Sequence, residues 1–373
     1  MLKHAFRLSL PPVLVAALAG IPSLTLAQEE SLRFGGAARF QYSYEGYDDA
    51  NKNRGGDIDF DTFRLNLDGR LDDLILSAEW RYYDYMQVIH HAWVGYDFTA
   101  NLRAEAGITQ VPFGNLPFNS HSFFFSSNYY LGLEDDYDAG IKLSWLAEPW
   151  DVQVAFFKND ERGGAGSGLD RYSFDAVALN PTNPSDSAIG ETNTLAGRIA
   201  YSFGAGNGPT TQIGISAMGG RLHDGSRHAG SYTAFASHLN GNYGRWNLQL
   251  QVTKYEYDLD SGADRLAMGA FGAAYGIPAD AVSYTANLGY RLPVSWGPIS
   301  ALNLYSDNSL VTDKSDGTAD TVMHILGLSV EAGPVLAYLD FVSAKNQPFV
   351  GGTMIGDSGD REQRINLNIG YYF

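Results

Sequence analysis

The chain has 373 residues, a formal net charge of −17 and no cysteine. So acidic a balance excludes a nucleic-acid partner, which needs a basic footprint, and the missing thiols exclude disulfide staples and thiolate metal sites. With Gly 42, Tyr 23 and Phe 20 high and charged residues at 18%, the length fits either one large domain or two or three soluble ones, and the patterning of segments has to decide.

At the start, Lys3 and Arg7 precede an apolar stretch from Val13 to Leu18. Thr25 and Ala27 then stand three and one residues before an expected cut, followed by Gln28, Glu29 and Glu30. This is the three-part layout of a signal peptide. A membrane-anchoring helix fits less well, because the stretch is short of the ~20 residues a span needs and is broken by Pro11, Pro12 and Pro22. Residues 1–27 are therefore expected to be an export signal and 28–373 the exported domain, with 23 basic residues against 42 acidic ones.

Downstream, apolar and polar residues alternate. Phe63, Leu65 and Leu67 interleave with Arg64 and Asn66, and Leu74, Leu76, Ala78, Trp80 and Tyr82 with Ser77, Glu79 and Arg81. The same period of two marks Leu102–Thr109 and Ala139–Trp145. It returns in Trp246–Tyr257, Ser283–Leu292, Ile299–Asp307, Val322–Val330, Val335–Val342 and Arg364–Phe373. Such alternation predicts half-buried strand rather than helix.

The connectors alternate too. Short turns at Gly69–Asp73, Thr99–Asn101, Ala147–Trp150, Gly204–Pro209, Gly241–Gly244, Pro293–Pro298 and Ala332–Pro334 separate longer polar stretches. Those stretches are Gly46–Gly56, Val111–Asp136, Asp160–Gly190, Arg221–Gly230, Asp258–Asp280, Asn308–Ala319 and Asn346–Asp360. The pattern predicts an all-β fold: a transmembrane antiparallel β-barrel of about 16 strands, with short periplasmic turns and long extracellular loops. A lipid-exposed sheet must close to satisfy its backbone, so the last strand is expected to pair with one near Leu32–Tyr44. Ile365, Leu367, Ile369, Tyr371 and Phe373 would then face lipid, with Asn366 and Asn368 in the lumen. Trp80, Tyr82, Tyr83, Trp93, Tyr96, Trp145, Trp150, Tyr371 and Tyr372 suit the interfacial girdles. A large secreted sandwich or β-helix is the blander alternative. Two places strain the count: the very short link at Tyr85–Val88, and Ala263–Ala274, which reads as a strand or as a small helix within a loop, the loop being preferred because it keeps the count even.

A lumen of this width admits water, so passive passage of small hydrophilic solutes or ions is the expected function. The loop Val111–Asp136 is the expected constriction. Pro112, Gly114 and Pro117 force turns around Phe113, and Phe118, His121, Phe123, Phe124, Phe125, Tyr129 and Tyr130 follow, before Glu134, Asp135 and Asp136. So aromatic a cluster would be an aggregation hazard on a free rim; folding inward removes it from solvent. The other reading is a loop packed on the rim or at a subunit interface.

In this region the chain resembles the phosphate-selective porin O and P family. The resemblance rests on the Arg64–Gly69 strand, "AWVGYDF" from Ala92, "GITQVPFGNLPF" from Gly107 and "GLEDDYDAGIK" from Gly132. It covers Phe63–Trp145 best and is mainly one of rhythm beyond. It implies a homotrimeric porin with an inward-folded third loop, set in outer-membrane lipid and lipopolysaccharide, with no cofactor.

Selectivity for phosphate is not expected to carry over, since it calls for Arg and Lys converging on a narrow pore. The loop from Val111 to Asp138 has none, and it has Glu134, Asp135, Asp136 and Asp138. Lumen-facing Arg64, Arg81, Arg103, Lys142 and Arg198 stand against Asp68, Glu79 and Glu105. A general or weakly selective channel is expected; an anion- or phosphate-selective channel and a structural or adhesive barrel working through Asp160–Gly190 are the alternatives. Asp57, Asp59 and Asp61 alternate and either hold Ca²⁺ or form a solvated rim. His90 and His91 are adjacent, so in a regular strand they point to opposite faces. His223, His228 and His238 lie near Ser226, Ser231 and Ser237, but nothing beyond that proximity suggests a catalytic triad, and no enzyme is expected.

Overall fold

The computed structural model describes residues 30–166, 168–204 and 208–373; the expected export signal lies outside the described residues. In chain order the strands are β1 Glu30–Glu45, β2 Asp57–Leu71, β3 Leu74–Tyr82, β4 Gln87–Thr99, β5 Leu102–Gln110, β6 Tyr137–Ala147 and β7 Trp150–Asp160. There follow β8 Asp175–Ala178, β9 Gly190–Phe203, β10 Thr210–His223, β11 His228–Tyr243, β12 Trp246–Leu259, β13 Arg265–Ala270 and β14 Ala273–Pro278. The last five are β15 Asp280–Trp296, β16 Ile299–Thr312, β17 Thr321–Ala332, β18 Val335–Lys345 and β19 Glu362–Tyr372. Sixteen of them close into one antiparallel barrel, each beside its neighbour in sequence, with β8, β13 and β14 in a separate three-stranded sheet. No described helix is long and apolar enough to cross a membrane.

The period of two now has a direction. On β7, Val154 and Phe156 are exposed while Ala155 and Phe157 are buried. On β11 Phe235 is exposed between buried Ala234 and Ala236, and on β17 Leu326 is exposed beside buried Ile325. Repeated round a closed wall, the outward rows form a continuous apolar belt, which is the surface hydrocarbon requires. At the short-turn end the belt is edged by paired rings: Trp150 on Tyr201, Tyr201 on Phe203 and Trp246 on Tyr290, with centroids 4.6–4.8 Å apart. Tyr83 and Tyr372 do not belong to this girdle. Tyr83 is buried, and Tyr372 lies under Arg64 inside the barrel.

Closure is made by the first and last strands. β1 pairs with β19 from Glu45 opposite Arg364 to Ala37 opposite Tyr372. Beyond that register, Gly36 N donates to Phe373 O at 2.9 Å and Phe373 N donates back to Gly36 O at 3.1 Å. Gly36 must lack a side chain here, because a Cβ would stand 2.3 Å from the Arg64 carbonyl oxygen.

The rims differ from the expected layout in identifiable ways. Ala263–Ala274 holds no helix; it carries most of the β13–β14 hairpin, which pairs with β8 rather than entering the wall. Two loops are shorter than the sequence suggested, since β10 and β11 leave only 224–227 between them and β16 runs on to Thr312. The short link after β3 is a real tight hairpin, with Tyr83 N donating to Met86 O at 2.8 Å. Its Tyr83, Met86 and Val88 are buried against Tyr172 and Phe271, so the long loops after β7 and β12 cover the rim that this hairpin leaves low.

Candidate functional site

The segment 111–136 runs inside the barrel and is fastened to wall strands far away in sequence. Gly114 N donates to Ser216 Oγ at 3.0 Å, and Asn115 N to Gln251 Oε1 at 2.8 Å. Asn119 Nδ2 reaches Thr285 Oγ1 at 2.8 Å, and Asn287 Nδ2 donates to the Asn119 carbonyl at 2.6 Å. The backbone N–H groups of His121 and Ser122 both bond Asp307 Oδ2, at 2.7 and 2.8 Å. Phe123 N donates to Asp340 Oδ2 at 3.1 Å. A loop with little secondary structure must satisfy its buried backbone this way, and inward-facing polar residues on β10, β12, β15, β16 and β18 supply the partners.

Its side chains divide into those that hold the loop and those that face open space. His121 is clamped between Asp307 Oδ1 at 2.8 Å and Asn247 Oδ1 at 2.7 Å. Burial opposes a charge on that imidazole, but the bonds to Asp307 and Asn247 outweigh it and raise its affinity for a proton. Phe113 is buried in the core, and Tyr130 OH donates to the Phe124 carbonyl at 3.0 Å. Phe125 adopts a left-handed φ of +58° and stacks on Tyr129 at 4.3 Å.

The acidic end of the loop faces inward to protein. Glu134 accepts from Asn119 N at 2.9 Å, Ser120 Oγ at 3.0 Å and Ser126 N at 3.1 Å, and from the Ser126 hydroxyl. Asp135 accepts from Tyr172 OH at 2.6 Å. Burial pushes the Glu134, Asp135 and Asp136 carboxyls above their ordinary range, Asp135 up to about 7. The partners of Glu134 and Asp135 include Ser126 and Tyr172, which no local pattern reveals.

Beside the loop lies a cavity of about 810 Å³. Phe118, Phe123, Phe124, Phe125 and Tyr129 border it on the loop side, and Arg39, Arg64, Arg81 and Arg364 on the wall. Each guanidinium lies over a ring: Arg39 over Phe123 at 5.2 Å, Arg364 over Phe124 at 5.1 Å, Arg81 over Tyr172 at 4.4 Å and Arg64 over Tyr372 at 5.8 Å. Each also has a carboxylate. Arg39 pairs with Asp61 at 2.7 Å and Arg364 with Glu45 at 2.8 Å, while Glu79 serves both Arg81 and, at 3.9 Å, Arg64. Asp59 and Asp84 add negative charge to the same lining.

Of the expected charged residues, then, Arg64, Glu79 and Arg81 meet at this cavity, and the others do other things. Lys142 pairs with Glu105 at 2.9 Å and donates to the Gln110 carbonyl at 3.1 Å. Arg198 pairs with Asp151 and donates from Nε to Gly114 O at 2.8 Å, under the loop. Arg103 pairs with Asp97 at 2.7 Å, and Asp68 accepts from Ser77 Oγ at 2.7 Å. Arg39 and Arg364 were missed; Arg39 sits on the regular inner row of β1, where Phe34 and Phe40 are exposed and Ala37, Arg39 and Ser43 are buried, and the bulge opposite it places Asp61 of β2 beside it.

Asp57, Asp59 and Asp61 do not form a cation site. Arg54 binds Asp57 at 2.6 Å and Arg39 binds Asp61, and the trio is absent from the carboxylate groupings close enough for one ion among the described residues. His90 and His91 do not point apart either. A bulge in β4 opposite Glu79 and Trp80 brings their Nδ1 atoms to 2.8 Å. His228 pairs with Asp260 at 2.9 Å, His223 Nδ1 accepts from Gly225 N, and neither His238 nitrogen has a partner, so no serine–histidine pair forms there.

No family model matches the chain, and no curated protein does. Solved structures do. An anion-selective porin from Comamonas acidovorans superposes with a TM-score of 0.63 at 14% identity, covering 92% of this chain and 100% of that one. OmpT of Vibrio cholerae, described as a trimer form, gives 0.57 at 13%, over 92% and 99%. The outer membrane protein opdK from Pseudomonas aeruginosa gives 0.50 at 9%, over 92% and 99%. The likeness is one of fold. At such identities the barrel fold is what these chains share; the residues lining this bore are its own.

Proposed function

We propose that the protein is an outer-membrane porin: a water-filled channel through which small hydrophilic solutes or ions diffuse passively, with weak charge selectivity. The observation that carries this is the cavity inside a closed, apolar-belted wall, narrowed by an aromatic loop on one side and lined by arginines on the other. The described porins of the same fold support it. Residues 111–136 are the constriction in this reading, residues 1–27 are its export signal, and the functional unit is a homotrimer in outer-membrane lipid and lipopolysaccharide, as the trimeric Vibrio cholerae protein suggests.

Weak selectivity follows from pairing. Four arginines face the passage, but Asp61, Glu79 and Glu45 neutralise them locally, and Asp59 and Asp84 face the same space. Opposed charges of this kind set a transverse field more than a net potential. Phosphate selection of the O and P kind needs converging unpaired cations, and this lining does not supply them.

Single-channel recording in planar bilayers across a salt gradient tests the proposal. Ohmic channels with a reversal potential near zero are expected. A large reversal potential of anionic sign overturns weak selectivity, and a sealed barrel overturns the channel itself. Deleting Phe118–Tyr130 should raise the conductance; an unchanged value removes the loop from the permeation path.

A further inference from the structure

The inward loop ends, and β6 begins, in the run Glu134-Asp135-Asp136-Tyr137-Asp138. Asp136 and Asp138 are two apart, so both project to the inner face, where β8 brings Asp175 alongside. One oxygen of each of these three carboxylates lies within 4.8 Å of the other two, and all three residues are buried. Their relative exposures are 7%, 3% and 2%. Asp136 Oδ1 and Asp138 Oδ1 are sealed from solvent and accept no hydrogen bond. Carboxylate oxygens left unpartnered this deep are costly.

The surroundings deepen the deficit. Asp160 and Glu191 are buried close by, and Arg171 reaches Asp160 at 3.1 Å and Asp175 at 2.8 Å. Neither of these ion pairs reaches Asp136 or Asp138, whose Oδ1 atoms stay without a hydrogen-bond partner. Groups so placed must take up protons or a cation.

We propose that Asp136, Asp138 and Asp175 bind a calcium ion that pins the end of the inward loop to β6 and to the covering loop that carries β8. All donors are hard carboxylate oxygens, the set that Ca²⁺ and Mg²⁺ prefer. Oxygens on opposite sides of a Ca²⁺ stand roughly 5 Å apart, from its ligand distances of about 2.3–2.6 Å, and the observed span accommodates that. Mg²⁺ demands near-octahedral geometry and gives up its waters reluctantly, which disfavours it among carboxylates this deeply buried. The assignment is independent of what crosses the bore.

Terbium, a luminescent stand-in for Ca²⁺, tests this on the detergent-purified, EDTA-stripped full chain, with Tyr137 and Tyr172 as sensitisers. Tyrosine-sensitised emission is expected, displaced by Ca²⁺ and much less by Mg²⁺, together with a Ca²⁺-dependent rise in the unfolding midpoint. Asp136→Asn and Asp138→Asn should each weaken binding more than about ten-fold. In EDTA both should melt no lower than the parent, because each removes a buried carboxyl oxygen that has no partner. Asp57→Asn should leave binding unchanged. The proposal is overturned if the parent shows neither emission nor a Ca²⁺-dependent midpoint, if Mg²⁺ competes as well as Ca²⁺, or if emission persists in both Asn variants. Should those variants fail to fold, equilibrium dialysis of ⁴⁵Ca²⁺ against the parent decides alone: one tight ion per chain supports the site, and none overturns it.

Discussion

Arg198 on β9 holds Gly114 in place: its Nε donates to the Gly114 carbonyl at 2.8 Å, across 84 residues of sequence. The same guanidinium pairs with Asp151 and donates to Gln212 Oε1 at 2.7 Å. A residue that sequence parity marks as a pore charge is thus a fastener for the constricting loop. Arg198→Met keeps the stem and loses all three contacts. The expected outcome is a loss of about 3 kcal/mol in unfolding free energy, the scale of a charge-assisted hydrogen bond or two, with a larger and noisier single-channel current. Denaturant unfolding and bilayer recording measure the two effects, and a quiet channel of parental conductance would refute the fastening role.

His121 makes the loop's docking sensitive to pH. Its proton affinity is raised because, although burial disfavours the charge, Asp307 and Asn247 bind the imidazole; Tyr305 stacks on the ring at 6.2 Å. A histidine whose folded pKa exceeds its unfolded value gives stability that is complete below the unfolded value of 6.5 and is lost as pH rises through the folded value. Open-channel noise should therefore grow as pH rises above about 6.5. In His121→Gln that rise should be absent, and a parental profile in the variant would assign the effect elsewhere.

Glu79 sets the charge balance of the passage. It neutralises Arg81 and Arg64 and is held by Asn66 Nδ2 at 2.7 Å. Glu79→Gln keeps the shape and frees two cations. The permeability ratio should move a few-fold toward anions, the effect of one unit charge worth roughly 1 kcal/mol near a water-filled path. A reversal potential identical to the parent's would show that ions pass out of its reach.

Gly36 guards the seam. Its missing Cβ would meet the Arg64 carbonyl at 2.3 Å and the Phe373 ring at 2.8 Å. Gly36→Ala should push the last strand off the first, and the heat-resistant folded band on a gel should weaken or vanish while Gly55→Ala, where a Cβ meets nothing within 4 Å, costs less, limited to its positive φ.

The wall was legible in the sequence because a half-buried strand writes its two faces as alternating residues, and the loop's inward path was legible because its rings needed cover. Roles at the lining were harder. Parity shows which face a residue is on, and it fails at bulges: the slip at Asp61 reverses the phase of β2, so that Leu65 and Ile58 are both exposed, and the one at His90 turns a residue that strict alternation would send the other way. Nor does parity show what lies on top. Arg198 lies under the loop, Lys142 is tied to β5 through Glu105 and Gln110, and Glu134 and Asp135 meet partners brought from 8 to 37 residues away, such as Ser126 and Tyr172.

The inward loop takes its bonds from β10, β12, β15, β16 and β18. None of these anchors exists in its final position until most of the chain has been threaded into the wall. Narrowing must therefore come late in assembly, after the circumference is nearly complete, since contacts so distant in sequence form last. For a short time each newly made barrel is a wide, unbraced tube, and the bolting of the loop across its interior is the step that gives it its working calibre.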